Sequence, residues 1–314
     1  MSSPPPPADR HTDQPDRARH DWIVGHRRAD RRAAAAGIHA WDVTVDCHRR
    51  LRGPYTGVGT MLRTIVPQAW ALAPELVAAH LPAILCAAPE LEPLIGSPPG
   101  TLTEHAPPGE RTRWYSRLRT RRISHHLVEF LNEAARLRAE GELALCFDTV
   151  HEADHTDQEF LAIALRRADP ERVRLSAASQ APDGSDLVPE LAEALGRYAA
   201  RTDAPARRPE EQGPDSGREN ERENEHGLVR AFIDSDGTTD DPEEIEAYSR
   251  ARKADPASVA ALHRARAAEL EASGEVSWTL GAIPYHLRDA AEPAYSACCA
   301  TLPRTATAAR TTTS

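Results

Sequence analysis

Apolar and polar positions change their spacing along this chain in a way that separates several segments. Between about residues 37 and 200, short apolar runs alternate with stretches of helical period. Residues 55–73 carry Met61, Leu62, Ile65, Val66 and Trp70 on one helical face, behind a glycine turn. Residues 81–86 form an apolar run of strand length. Over residues 112–137, Trp114, Leu118, Ile123, Leu127, Phe130, Leu131 and Leu137 recur at near-helical spacing, opposite a face rich in arginine. Residues 143–147 read as a second strand, 160–165 as the start of a helix and 173–175 as a weak third strand. Strands separated by helices predict an α/β fold with a parallel sheet.

The flanks lose this pattern. Residues 1–34 run from a proline tract into Arg-, Asp- and His-rich sequence with little to bury, and are expected to be a disordered leader. The α/β domain then covers 35–201. Residues 202–227 lack large apolar side chains almost throughout and read as a linker. The pairs Asp241-Pro242 and Asp255-Pro256 predict two helix starts in a small all-α domain over 228–289. The Ala- and Thr-rich stretch 290–314 is expected to be a disordered tail, and the chain reads as C-terminally truncated.

Composition narrows the classes. With 48 acidic residues against 38 Lys and Arg, the net charge is −10, which argues against nucleic acid or an anionic membrane as a partner of the whole chain. Five cysteines without CxxC spacing indicate neither a zinc ribbon nor a disulfide framework. The most apolar stretch, 71–95, is interrupted by prolines and charges, so no membrane span is expected, and the location reads as cytoplasmic. No GxSxG elbow supports a serine hydrolase.

Two constellations could carry chemistry. In Leu-Arg-Gly-Pro-Tyr-Thr-Gly-Val-Gly-Thr-Met-Leu-Arg, residues 51–63, the glycines Gly53, Gly57 and Gly59 precede a helical pattern, and such a turn can aim backbone N–H groups at a phosphate. In Leu-Ala-Leu-Cys-Phe-Asp-Thr-Val-His-Glu-Ala-Asp, residues 143–154, an apolar strand ends in Asp148, where a nucleotide site commonly holds magnesium.

Together these segments resemble the P-loop NTPase domain of STAND proteins, the AAA-like ATPase domain found in large bacterial regulators with tetratricopeptide repeats. The segment 147–157 is similar to their Walker B region: Asp148 matches the first acid, His151, Ala153 and Asp154 match in turn, and Thr149 stands in place of the second acid. The loop at 53–60 is similar to a Walker A loop with altered spacing. The resemblance implies a P-loop NTPase-like sheet and a regulatory ATP-binding module. Gly53, Thr56, Gly57, Gly59 and Thr60 would lie at the nucleotide, Asp148 at Mg2+, and Glu152 or Asp154 would take the base's place. It further implies a protein partner. The chain has one lysine, Lys253, so the Walker A lysine is missing and at most weak ATPase activity is expected. Two other readings remain: a nucleotide-free interaction scaffold, and a zinc metallopeptidase through His151-Glu152-x-x-His155, provided that this HExxH lies on one helix.

Overall fold

The computed structural model describes residues 20–97, 116–139, 141–205 and 218–290. It divides into two compact units at residues 211/212, with Arg50–Arg52 grouping with the second. The first unit is α/β, with a sheet of five parallel strands: β1 (His20–Val24), β2 (Val43–Asp46), β3 (Leu143–Asp148), β4 (Val173–Ser179) and β5 (Ala199–Asp203), in the order β2-β3-β4-β1-β5. Its helices are α1 (Arg28–Ile38), α2 (Thr56–Leu72), α3 (Pro74–Ala87), α4 (Glu92–Ile95), α5 (Ser116–Arg136), α6 (His155–Arg167) and α7 (Pro189–Tyr198). The second unit holds α8 (Arg218–Asp234), α9 (Pro242–Ala254), α10 (Pro256–Ala272) and α11 (Ala282–Ala290).

Successive strand residues point to opposite faces, which sorts the core into two clusters. Ile23, Cys146 and Ala178 pack beneath Ala35 and Ile38 of α1 and against Trp41. Trp22, Val24, Val45, Leu145, Phe147, Leu175 and Ala177 face the larger cluster built with α2, α3, α5, α6 and α7. All six residues of β3 are buried, as a strand covered on both faces requires. The connection leaving β1 runs by way of α1 to the edge strand β2, whereas the one leaving β4 runs by way of α7 to β5. The two neighbouring strands, β1 and β4, thus send their chains in opposite directions, and the carboxyl ends of strands at such a switch point are where open α/β sheets commonly bind ligands.

Several expectations need correction. Residues 20–34 are not part of a leader: they supply β1, which lies between β4 and β5, and the first half of α1. The strand is hidden in the sequence because His20 and Asp21 open it, yet both are buried with partners. His20 Nδ1 accepts from Leu175 N at 3.2 Å, and Asp21 takes Arg174 in a forked pair at 2.9 and 3.3 Å. Residues 81–86 are not a strand but the second half of α3, which continues through Pro82 with Leu76, Val77, His80, Leu81, Ile84 and Ala87 buried along one side. Both ends of the expected linker are ordered, in β5 and α8. Residues 1–19, the middle of that linker at 206–217, and the tail at 291–314 lie outside the described residues.

In the second unit, α9 and α10 begin at the two Asp-Pro pairs. Asp241 accepts from Glu243 N at 2.9 Å and Asp255 from Ser258 N at 3.0 Å, each capping a helix whose first residue is proline.

Candidate functional site

The glycine turn at 53–60 follows β2 and leads into α2. Gly53 has φ +99°, a conformation that favours glycine. Thr56 Oγ donates to Gly53 O at 2.8 Å, and Thr60 Oγ donates to Thr56 O at 2.8 Å, so both hydroxyls serve the turn itself. Gly59 N donates to Tyr55 O as an ordinary helical amide. The free amides of the first turn are those of Gly57 and Val58, and both donate to the Asp157 carboxylate at 2.9 Å. Asp157 is fully buried, and its charge meets the positive end of α2 where a phosphate would otherwise sit. Gly57 also has a packing reason: a Cβ there would lie 2.5 Å from Cys47 Sγ.

Asp148 ends β3 and is 1% exposed. Its Oδ1 accepts from Arg31 Nε at 3.1 Å and from Thr149 N at 2.8 Å. Its Oδ2 faces Arg32 Nε at 3.2 Å and Arg28 Nε at 3.3 Å. Arg28 also pairs with Asp46, the residue beside Asp148 in register at the end of β2. These arginines all come from the start of α1, the helix after β1. Arg31, fully buried, also donates to Gly25 O at 2.9 Å, which ties the guanidinium to the turn before that helix. The apolar pattern of the sequence does not reveal this segment, because the strand that leads into it opens with His20 and Asp21. Its signal was present in Gly25-His-Arg-Arg-Ala-Asp-Arg-Arg, a glycine followed six residues later by a basic residue, directly behind Trp-Ile-Val.

Magnesium does not fit Asp148. Each carboxylate oxygen already faces two donors, and a divalent cation would stand among three guanidinium groups.

Thr149 stands in the left-handed region at φ 59°, uncommon for a β-branched residue, and its buried hydroxyl has no hydrogen-bond partner. His151 Nδ1 is likewise buried without a partner. Burial lowers the His151 pKa, and the Arg31 charge acts in the same direction. Such orphaned polar atoms are rare in native structures and mark places where water or ligand completes the bonding.

The two candidate bases have structural partners. Glu152 lies 3.5 Å from Arg49, and its backbone carbonyl accepts from Arg49 N at 3.1 Å. Asp154 caps α6, with Oδ1 accepting from Thr156 N and from Asp157 N, while its buried Oδ2 has no hydrogen-bond partner. The HExxH sequence is split by this cap: His151 and Glu152 belong to a single 3-10 turn, Val150–Glu152, and His155 opens α6. The two imidazoles do not share one helix face, which removes the premise of the zinc peptidase. Among the described residues, no group of three His, Cys, Asp or Glu could hold a metal ion.

A separate open cleft of about 690 Å³, lined by His39, Asp42, Arg138, Glu142 and Arg172, lies at the amino ends of β2, β3 and β4, away from this cluster. No helix among the described residues is long and apolar enough to cross a membrane. The chain matches no family model, no curated protein and no solved structure.

Proposed function

We propose that the chain is a regulatory module of the P-loop type that binds a nucleotide through its phosphates and does not hydrolyse it. The observation that carries this reading is the meeting of Arg31, from the helix after β1, with Asp148 at the end of β3. In a phosphate loop, Gly-x4-Gly-Lys-Ser/Thr follows a strand and opens a helix. Residues 25–32 follow β1 and open α1 with Gly25 at the first position and Arg31 at that of the lysine, while Asp30 replaces the second glycine and Arg32 the Ser/Thr. This moves the phosphate-facing turn from 53–60 to 25–32 and keeps Asp148 as its partner. The switch-point position and the partnerless Thr149 and His151 atoms support a ligand there.

Hydrolysis would need a cation on the transferred phosphoryl group and a base on water. Asp148 is committed to arginines, Thr149 carries no base, and Glu152 and Asp154 hold local structure. The test is titration with a fluorescent ATP analogue beside a phosphate-release assay. Saturable binding without phosphate release is expected. Absence of binding would overturn the reading in favour of a nucleotide-free scaffold. One observation favours that second reading: the amides of α2 are filled by Asp157.

A further inference from the structure

Asp148 has the chemistry of an occupant rather than of a holder. The contacts bring Arg28, Arg31 and Arg32 together with Asp46 and Asp148, and three positive against two negative charges leave these five side chains one positive charge in excess. Arg28, Arg31 and Arg32 all approach Asp148 through Nε, Arg31 and Arg32 as hydrogen bonds and Arg28 as an ion pair, and guanidinium groups are also the side chains that hold phosphates. They differ in freedom. The Arg31 side chain is fully buried and held by Gly25 O, whereas the Arg32 side chain is 53% exposed and can turn toward solvent. Directly after Asp148, Thr149 is 3% exposed and its buried hydroxyl lacks a partner, a second feature that points to a ligand at this strand end.

We propose that Asp148 is an internal counter-ion standing in for a phosphate group. The site would therefore take a phosphate ester free of divalent metal, with Asp148 competing against the ligand for Arg28 and Arg32. This rests on the reading of residues 25–32 as the phosphate-facing turn. It inverts the role that a strand-end aspartate has as a magnesium holder. A magnesium ligand strengthens nucleotide binding, so its loss weakens it; a competing counter-ion weakens binding, so its loss strengthens it. Magnesium bound to ATP also cancels phosphate charge that the arginines would otherwise meet.

The experiment measures ATP affinity of the full chain by calorimetry, in EDTA and in excess magnesium, for wild type, Asp148→Asn and Arg32→Gln. Expected for wild type is tighter binding in EDTA than in magnesium. Asp148→Asn, folded by circular dichroism, is expected to bind about tenfold tighter, the equivalent of roughly one charge-assisted hydrogen bond released to the ligand. Arg32→Gln is expected to bind about tenfold more weakly. If the buried Asp148→Asn variant does not fold, the wild-type comparison and Arg32→Gln decide. Binding that requires magnesium, or that weakens in folded Asp148→Asn, overturns the proposal while leaving a nucleotide module standing. Failure of wild type and of folded Asp148→Asn to bind ATP in either condition overturns the nucleotide reading itself, and this proposal with it.

Discussion

Asp157 shows how one side chain can close an anion site from inside. Its two oxygens take the amides of Gly57 and Val58, and neither oxygen is open to water. Removing the carboxylate leaves two buried N–H groups unpaired, each costing about 1–3 kcal/mol. Asp157→Ala should therefore lose about 2–6 kcal/mol of stability, read as a lower urea midpoint with unchanged m-value. Asp157→Asn keeps one acceptor and should lose less. An equal loss in both variants would mean that the charge on the α2 dipole, rather than the acceptor count, carries the effect. Asp154 is the milder case: its cap spans two amides at a half-buried helix start, so Asp154→Ala should cost about 1 kcal/mol.

Among the helices of the second unit, a buried polar chain links three elements. Tyr248 of α9 meets His263 Nε2 of α10 at 3.0 Å, His263 Nδ1 meets His286 Nδ1 of α11 at 2.8 Å, and His286 Nε2 meets Asp236 at 3.0 Å. The carboxylate only accepts, so His286 Nε2 donates to it. With His286 neutral, its Nδ1 accepts from His263 Nδ1–H, and His263 Nε2 accepts from the Tyr248 hydroxyl. Burial pushes the Asp236 carboxyl upward, but hydrogen bonds from His286 and Arg266 hold it below its ordinary value. Burial, then neighbouring His286, lowers the His263 pKa to about 4; Asp289 opposes this, while Arg252 and Arg288 reinforce it. The folded state binds this proton less readily than the unfolded chain, whose histidine titrates near 6.5. Stability from His263 is therefore complete above about pH 6.5 and falls as the pH drops toward 4. The folded-to-unfolded ratio falls up to about tenfold per pH unit and levels off below the folded value. His20 in the first unit, lowered to about 4 chiefly by burial, adds to the same trend. Urea midpoints measured from pH 7 to pH 4 should fall, with a shallower slope in His263→Gln; a slope unchanged by that substitution would contradict the assignment.

The same elements show what the sequence made legible. The runs at 143–147 and 173–175 lie inside β3 and β4 because both strands bury apolar side chains on two faces, and the Asp-Pro pairs mark helix starts because capping is local chemistry. By contrast, β1 opens with His20 and Asp21, which become strand residues only through Leu175 and Arg174, more than 150 positions away. Pro82 hid half of α3, since proline signals a break where no tertiary context is visible. At the site, Asp148 was legible as a strand-end carboxylate. Its arginine partners were not, because they follow the strand that went unseen.

For the whole molecule, the decisive contrast is between a net charge of −10 and a local cluster with one positive charge in excess. A small phosphate ligand meets only the cluster, whereas a polynucleotide must lie along a surface that is acidic overall. The two ligand sizes should therefore separate in one experiment. ATP is expected to bind in a way that weakens as salt rises, because exposed Arg32 contributes through a screened contact. Single- and double-stranded oligonucleotides should not compete with ATP at moderate salt, measured by displacement of the fluorescent analogue. Arg32→Gln should flatten the salt dependence for ATP and leave the oligonucleotides without effect. Displacement by oligonucleotides in wild type, lost in Arg32→Gln, would mean that the arginines open onto a backbone-binding surface, and the small-ligand assignment would fall.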